Sequence, residues 1–212
     1  MHAIITDGSI SKIINHPKRL VIGDVQYPAR IFSVWTASEL AAIGIYEITF
    51  DDSKKKDEKW YINTNQTFTY DADAGTVTAT YGNATAKPHA DTTWTQDEID
   101  DLDDAGDLTA GDIKNRGLKY NLIRDLKITV ANILSKTDWY VTRNTEKSTA
   151  IPSSISTHRD AVRTKQAAME TLITNASNTA AIETLYTYVN TADEGDTVVM
   201  ERPLGELPEL ES

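Results

Sequence analysis

The spacing of the apolar residues changes near the middle of this 212-residue chain. Up to residue 90, apolar and polar residues alternate over short stretches, which is typical of half-buried β-strands. Beyond residue 113, apolar residues recur every three or four positions, as they do along one face of a helix. The sequence therefore predicts an α+β fold, with a β-rich N-terminal module followed by a C-terminal helical hairpin, a third short helix and an extended tail.

Residues 1–90 are predicted to form the β-rich module with one short helix. Gly23 and Asp24 separate two short apolar runs, and glycine at the first place of a two-residue loop is typical of a type II′ hairpin. Thr36 and Glu39 have the spacing of a capping box, which predicts the short helix. Further strands are predicted at 45–50, 60–62, 67–70 and 76–81.

Residues 91–112 are predicted to be an acidic connector between the two modules. Positions 91–110 carry eight acidic residues and no basic residue. Blocks of like charge repel one another and stay solvated. Thr95 and Glu98 repeat the capping box and predict a second short helix, with Gly106 as its stop.

The same stretch partly resembles a calcium-binding loop that would start at Asp101. Such a loop needs an oxygen ligand at its fifth place and a bidentate glutamate at its twelfth. Ala105 and Asp112 stand at those places. A solvated connector is therefore the favoured interpretation, and no metal site is assigned.

Residues 113–190 are predicted to form the helical module. The first helix follows the apolar positions from Leu118 to Leu134, and a third, shorter stripe runs from 182 to 189. Ser154 is a candidate N-cap for the second helix. The polar stretch 142–149 is predicted to be the turn of the hairpin. In the second helix four apolar residues fall every seven positions, namely Ile155, Val162, Met169 and Ala176.

The composition and motifs exclude several kinds of chemistry. The chain has no cysteine, which excludes disulfides, thiolate metal sites and thiol catalysis. None of its four histidines has a second histidine four residues later, so no helical ligand pair is present. No phosphate loop, nucleophile elbow or dinucleotide fingerprint is found. We therefore assign no catalytic residue and no cofactor, and we expect a protein that is not an enzyme.

The charge and hydropathy argue against two classes of partner. The formal net charge is −11, and residues 111–190, the one segment with a net positive charge, contain no run of lysine and arginine. Because nucleic-acid binders present a basic face, we expect no nucleic-acid partner. No apolar stretch reaches the ~18 residues that a membrane span needs, and the first twenty residues lack the pattern of a secretory signal.

The segment that follows the first predicted helix brings together Trp139, Tyr140 and Arg143. One interpretation is an inter-helix turn in which the Trp139 side chain plugs the end of the helical hairpin. The other is a recognition surface, because Trp, Tyr and Arg dominate the hot spots of protein interfaces. The two interpretations are compatible if one face of the segment packs and the other docks.

This segment also carries a resemblance to a known family. The matching residues are Leu134, Thr137, Asp138, Trp139, Arg159, Ala161, Val162 and Arg163. Their order resembles the C-terminal region of bacteriophage tail assembly chaperones and tail-fibre assembly proteins. The stretches 27–32, 35–40 and 43–45 are similar to the front module of small phage tail proteins. Together these regions cover about half of the chain.

The resemblance implies a non-enzymatic phage tail protein that binds other tail or fibre subunits. It would be found in the virion tail, or in the host cytoplasm during assembly, and it could be part of a symmetric oligomer. Two roles remain open, an assembly chaperone that covers a fibre subunit and a minor virion component that acts as an adaptor. A glycan-acting tail enzyme is the alternative from another class.

Residues 191–212 form an acidic tail that contains two prolines. Leu204, Leu207 and Leu210 recur every three residues, which is the period of a polyproline II helix. We expect these leucines to dock in extended form on a neighbouring subunit or on the protein's own fold, with 198–200 adding a strand to a sheet edge. The alternative is a disordered acidic terminus.

Overall fold

The computed structural model describes residues 1–210 and separates the chain into two compact units. The first unit is Met1–Thr85, and the second begins at Ala86. The combination of a mixed sheet with a helical region confirms the α+β class predicted from the sequence. The division lies five residues before the predicted module end at 90. Among the described residues we find no helix that is both long enough and apolar enough to cross a membrane.

The first unit consists of a five-stranded mixed sheet, two short helices and small two-stranded pairs. Its sheet has the order β2-β1-β5-β8-β7, in which β5 and β8 are parallel and the other neighbours are antiparallel. The elements in chain order are β1 (His2–Thr6), β2 (Ser9–Ile14), β3 (Leu20–Ile22), β4 (Val25–Tyr27), α1 (Ile31–Val34), α2 (Ala37–Ala41), β5 (Ile45–Asp51), β6 (Tyr61–Ile62), β7 (Thr67–Asp71), β8 (Thr76–Thr80) and β9 (Thr85–Ala86).

The two local motifs predicted in this unit are present. β3 and β4 form an antiparallel hairpin across a two-residue loop, and Gly23 has the positive φ of +57° that the first place of a type II′ turn requires. Thr36 and Glu39 form a complete capping box at the start of α2. Trp35, before the cap, and Leu40, after it, both belong to the same hydrophobic cluster.

Alternation along the central strands gives this sheet two apolar faces. On one face, Ile4 and Ile45 pack with Ile31 of α1 and Leu40 of α2. On the other face lie residues of the opposite parity, namely Ala3, Ile48, Val77 and Ala79. Successive side chains of a strand point to opposite faces, so neighbouring residues such as Ala3 and Ile4 enter different clusters. Both faces of the sheet therefore carry an apolar cluster, while side chains such as Glu47, Thr49 and Thr69 remain exposed.

The second unit is mainly helical. Its elements in chain order are β10 (Thr92–Thr93), α3 (Gln96–Asp100), β11 (Ile113–Asn115), α4 (Leu118–Ser135), α5 (Asp138–Lys147), α6 (Ser153–Asn175), α7 (Thr179–Tyr186), β12 (Val189–Asn190) and β13 (Met200–Glu201). α4 and α6 form the predicted hairpin, and all four members of the seven-residue repeat on α6 are buried, as the pattern predicts.

The stretch predicted to be a solvated connector is folded into the second unit. β10 and β11 pair in antiparallel fashion, and the Trp94 amide donates to the Asp112 carbonyl over 2.8 Å. The ammonium group of Lys114 lies 2.6 Å from the Glu98 carboxylate and 4.3 Å from the centre of the Trp94 ring. The acidic block contains no cation of its own, and for that reason its sequence predicts a solvated segment. The cation that contacts it, Lys114, lies just beyond position 112.

Asp91 holds the start of this stretch against the N-terminus of α4. Its carboxylate accepts a hydrogen bond of 2.7 Å from the Gly117 amide and one of 2.6 Å from the Arg116 guanidinium. The hydrogen bond from Gly117, followed by that from Arg116, lowers the pKa of Asp91 from its usual range. The first turn of α4 therefore begins with one of its orphan amide groups satisfied from outside the helix.

Four boundaries differ from the sequence predictions, and at one of them α7 ends at Tyr186, so that Val189 of the predicted third stripe lies in β12. Residues 142–147, predicted to be a turn, belong to α5, where the hydroxyls of Thr142 and Thr145 donate to carbonyls four residues earlier and so stay within the helix. Helix α6 begins at Ser153 with Pro152 as its N-cap, so Ser154 lies inside the helix. Helix α3 ends at Asp100, well before Gly106, because the chain must turn back towards β11.

We expect a fragment of residues 86–212 to melt cooperatively, at a temperature roughly 5 °C or more above that of a fragment of residues 113–212. The shorter fragment loses the carbonyls of Lys87 and Pro88, which accept hydrogen bonds from the Thr179 hydroxyl and the Leu118 amide. It also loses Asp91. Thermal melting followed by far-UV circular dichroism tests this, and equal melting temperatures would instead support a solvated connector.

Candidate partner-binding surface

A tight corner between α4 and α5 positions the aromatic residues that the sequence singled out. α4 ends at Ser135 and α5 begins at Asp138, with the buried Thr137 between them. The Thr137 amide and hydroxyl both donate to the Leu134 carbonyl, over 3.0 and 3.1 Å. These bonds satisfy a carbonyl at the end of α4 that has no partner within the helix.

The guanidinium of Arg159 fastens this corner to α6. Arg159 is only 7% exposed. One of its terminal nitrogens, Nη1, donates to the Leu134 carbonyl and to the Thr137 hydroxyl oxygen, each over 2.7 Å. The other, Nη2, lies 2.9 Å from the Asp138 carboxylate. A buried cation is tolerated only where such partners replace water, so these contacts fix the direction in which α5 leaves the corner.

On α5, Trp139, Tyr140 and Arg143 form one continuous cluster, which we call the aromatic patch. The ring centres of Trp139 and Tyr140 are 3.8 Å apart, with 33° between their planes. The guanidinium carbon of Arg143 lies 4.7 Å from the Trp139 ring centre and 5.3 Å from that of Tyr140. These distances are within the range of cation–π attraction. No described residue accepts a hydrogen bond from the buried Nε of Arg143.

The position of Trp139 contradicts the interpretation that it plugs the helical hairpin. Its side chain is 52% exposed. The buried residue at the corner is Thr137 instead, and the next residue, Asp138, is directed to Arg159 by the ion pair. Asp138 is itself 59% exposed, so α5 begins at the surface and Trp139 follows on its solvent side. The structure thus keeps the recognition-surface interpretation for Trp139, Tyr140 and Arg143.

The three leucines of the tail have different environments. Leu204 is 2% exposed and belongs to the core cluster between α4 and α6, together with Val162 and Ile173. Leu207 is partly buried against the same cluster, whereas Leu210 is 43% exposed. Leu204 and Leu207 therefore dock on the protein's own fold, and the hypothesis that they contact a partner is wrong for the buried Leu204.

Polar contacts hold the tail in place beside this core. The Leu204 amide donates to the Leu185 carbonyl over 3.0 Å, and His158 Nε2 lies 3.1 Å from the Pro208 carbonyl oxygen. β12 and β13 form a short antiparallel pair, of which only Met200 belongs to the predicted strand 198–200. The tail up to residue 210 is consequently part of the second unit.

Two carboxylates within the stretch 91–112, those of Glu98 and Asp112, act as structural hydrogen-bond acceptors. A hydrogen bond from the Lys114 ammonium is the largest cause of a lowered pKa at Glu98, and one from the Thr109 amide does the same at Asp112. A general acid that works near neutral pH needs the opposite shift. Within residues 1–210, no group of three or more His, Asp or Glu side chains could hold a metal ion, and this includes the calcium-like loop.

We expect Arg159→Met to lower the free energy of unfolding by about 1–3 kcal/mol, because the hydrogen bonds of a charged donor to the corner are lost while the apolar stem is kept. Arg163→Met, one turn further along α6, removes an exposed cation whose contact to Asp160 is long, and should change stability by less than about 0.5 kcal/mol. Urea denaturation measures both. Equal effects of the two substitutions would contradict the clamping role of Arg159.

For the tail, Leu204→Ala should destabilise the protein by about 2–5 kcal/mol, since it leaves a cavity in the core of the helical unit. Leu210→Ala removes the same atoms from an exposed position and should have an effect below about 0.5 kcal/mol. Denaturant titration of the two variants against the unchanged protein provides the measurement. A stable Leu204→Ala variant would mean that the tail contributes only solubility.

No protein-family model matches the chain, and comparisons with curated proteins and with solved structures likewise find no match. The residues and contacts of the chain itself are therefore the basis on which a function is assigned.

Proposed function

We propose that this protein is a non-enzymatic component of bacteriophage tail assembly that binds another tail or fibre subunit through the aromatic patch. The observation that carries the proposal is the exposed stack of Trp139 on Tyr140 with Arg143 over both rings. These three residue types are the ones most enriched in binding hot spots. The phage assignment itself comes from the resemblance in the sequence.

The Arg159 clamp supports a binding role because it makes the patch rigid before any partner arrives. Arg159 contacts Leu134, Thr137 and Asp138, which hold the first turn of α5 in one orientation. A surface that is already ordered loses less conformational entropy on binding, so more of its contact energy appears as affinity. Four of the residues that carry the resemblance, namely Leu134, Thr137, Asp138 and Arg159, thus have a positioning role at the corner.

The patch also has the composition expected of a protein-binding surface. Trp139 and Tyr140 offer flat, rigid area at a small entropic cost, and the Arg143 guanidinium adds a cation beside both rings. A partner that brings an apolar side chain and a carboxylate would match these two features. A tail or fibre subunit waiting for assembly presents such side chains at its own unfilled interfaces.

A substitution in the aromatic patch tests the contribution of the patch to binding separately from its contribution to stability. Trp139→Ala should change the free energy of unfolding by less than about 1 kcal/mol, because the side chain is half exposed. It should weaken binding to the cognate subunit by about 30-fold or more, as loss of a hot-spot residue does. Isothermal titration with the purified subunit, alongside urea denaturation, measures both quantities on the same sample.

Tyr120→Ala is the matched control. Tyr120 is an exposed aromatic residue on α4 with the guanidinium of Arg116 stacked 4.1 Å from its ring centre, which reproduces the local chemistry of the patch elsewhere in the unit. Its loss should leave binding within about twofold of the unchanged protein. An equal loss of affinity in both variants, or a large loss of stability in Trp139→Ala alone, would contradict the proposal.

The choice between chaperone and adaptor depends on whether the protein stays in the particle. Quantitative mass spectrometry of purified phage particles tests this directly. A stoichiometric copy number supports a resident adaptor in the virion tail. Binding to the subunit in the host cytoplasm, with no copy in the particle, supports an assembly chaperone. A protein that neither enters particles nor binds any of their tail or fibre subunits would overturn the tail assignment.

A further inference from the structure

The first unit contains a cleft of about 390 Å³ between the β1–β2 pair and the β3–β4 hairpin. Its floor is apolar and formed by Ile4, Ile14 and Leu20, all of which are buried. The register of β1 and β2 sets Lys12 directly opposite Ile4, so that a cation stands beside this floor. The cleft lies near the lower end of the size range found for ligand sites.

Basic side chains surround this floor. Lys12, Lys18 and Arg19 line the cleft, and no acidic residue of the described chain does. Positions 8–23 contain no acidic residue, although the whole protein has a net charge of −11. The Arg19 guanidinium donates to the side-chain oxygen of Gln26 across the cleft, which holds it at the rim. A local excess of positive charge is therefore concentrated at one cavity of an acidic protein.

This arrangement has a clear electrostatic preference. Three like charges that converge on one cleft repel each other, and an anion between them relieves that repulsion. The three cations are exposed, so their attraction for an incoming anion is a surface interaction that salt weakens. The floor also favours a ligand that carries apolar groups next to its negative charges.

We propose that this cleft binds an acidic peptide segment of a partner protein in which carboxylates alternate with apolar side chains. The cations come from two places, β2 for Lys12 and the link before β3 for Lys18 and Arg19, so they suit several spaced carboxylates better than one compact anion. Val21 is exposed and also lines the cleft. This site shares no residue with the aromatic patch and stands independently of the phage assignment.

The test uses the full chain and a fluorescent peptide of about eight residues that alternates Glu and Leu. A Gln–Leu peptide of equal length separates the charge from the apolar contribution. We expect the Glu–Leu peptide to bind at least about tenfold more tightly by fluorescence anisotropy, and added salt to weaken that binding. Equal affinity for the two peptides would overturn the proposal, because the cations would then play no part.

Charge reversal then assigns the binding to the cleft. The double variant Lys12→Glu, Lys18→Glu should weaken binding of the Glu–Leu peptide by about tenfold or more. Both side chains are exposed, so the buried floor remains unchanged. The control Lys54→Glu, Lys136→Glu changes the net charge by the same amount at exposed positions outside the cleft and should stay within about twofold. Equal losses of peptide affinity in the two double variants would mean that net charge alone attracts the peptide, and would reject the site.

Three further measurements complete the test. The neutral variant Lys12→Gln, Lys18→Gln should give an intermediate affinity, and its circular dichroism spectrum should match that of the unchanged protein. Inorganic phosphate at low millimolar concentration should not displace the peptide. Complete displacement would show that the cleft binds small anions and would overturn the peptide proposal. Trp139→Ala should leave peptide binding unchanged, so failure of this proposal is distinct from failure of the aromatic patch.

Discussion

The organisation of the second unit depends on one buried cation. Arg159 lies inside the helical core, where an unpaired guanidinium would cost several kcal/mol, and its partners all come from the corner between α4 and α5. The corner can therefore not rotate without leaving this charge unpaired. Asp138 meets Arg159 from the edge of the core, since its own side chain is 59% exposed. The exposed Trp139 is therefore carried on a corner that a buried cation holds in place.

Local signals allowed much of the fold to be predicted from the sequence. The capping box at Thr36 and Glu39 and the hairpin glycine at position 23 act over a few residues, and both appear in the structure. The seven-residue repeat on α6 predicts a buried face for a similar reason, since helix geometry alone relates its members. Such features need no information about distant parts of the chain.

The predictions that failed required that distant information. Two acids of 91–112, Glu98 and Asp91, pair with Lys114 and Arg116, which lie just beyond the segment. These pairs fold the stretch into the second unit, while its other acidic side chains stay exposed. The period of Leu204, Leu207 and Leu210 indicates a shared face but not what covers it, and the helical core covers only the first two. For the candidate sites, the residue types at 139–143 pointed to a binding surface, whereas the role of Arg159 and the basic cleft depend on tertiary contacts.

The location of the two proposed surfaces bears on the choice between a chaperone and an adaptor. The aromatic patch belongs to the second unit and the basic cleft to the first, and they differ in chemistry. A chaperone that covers one sticky surface has no need of two unlike sites. A protein that joins two different subunits needs two such sites, because binding both partners at once raises their effective concentration for each other. The combination of an aromatic and a basic surface on separate units therefore favours the adaptor role.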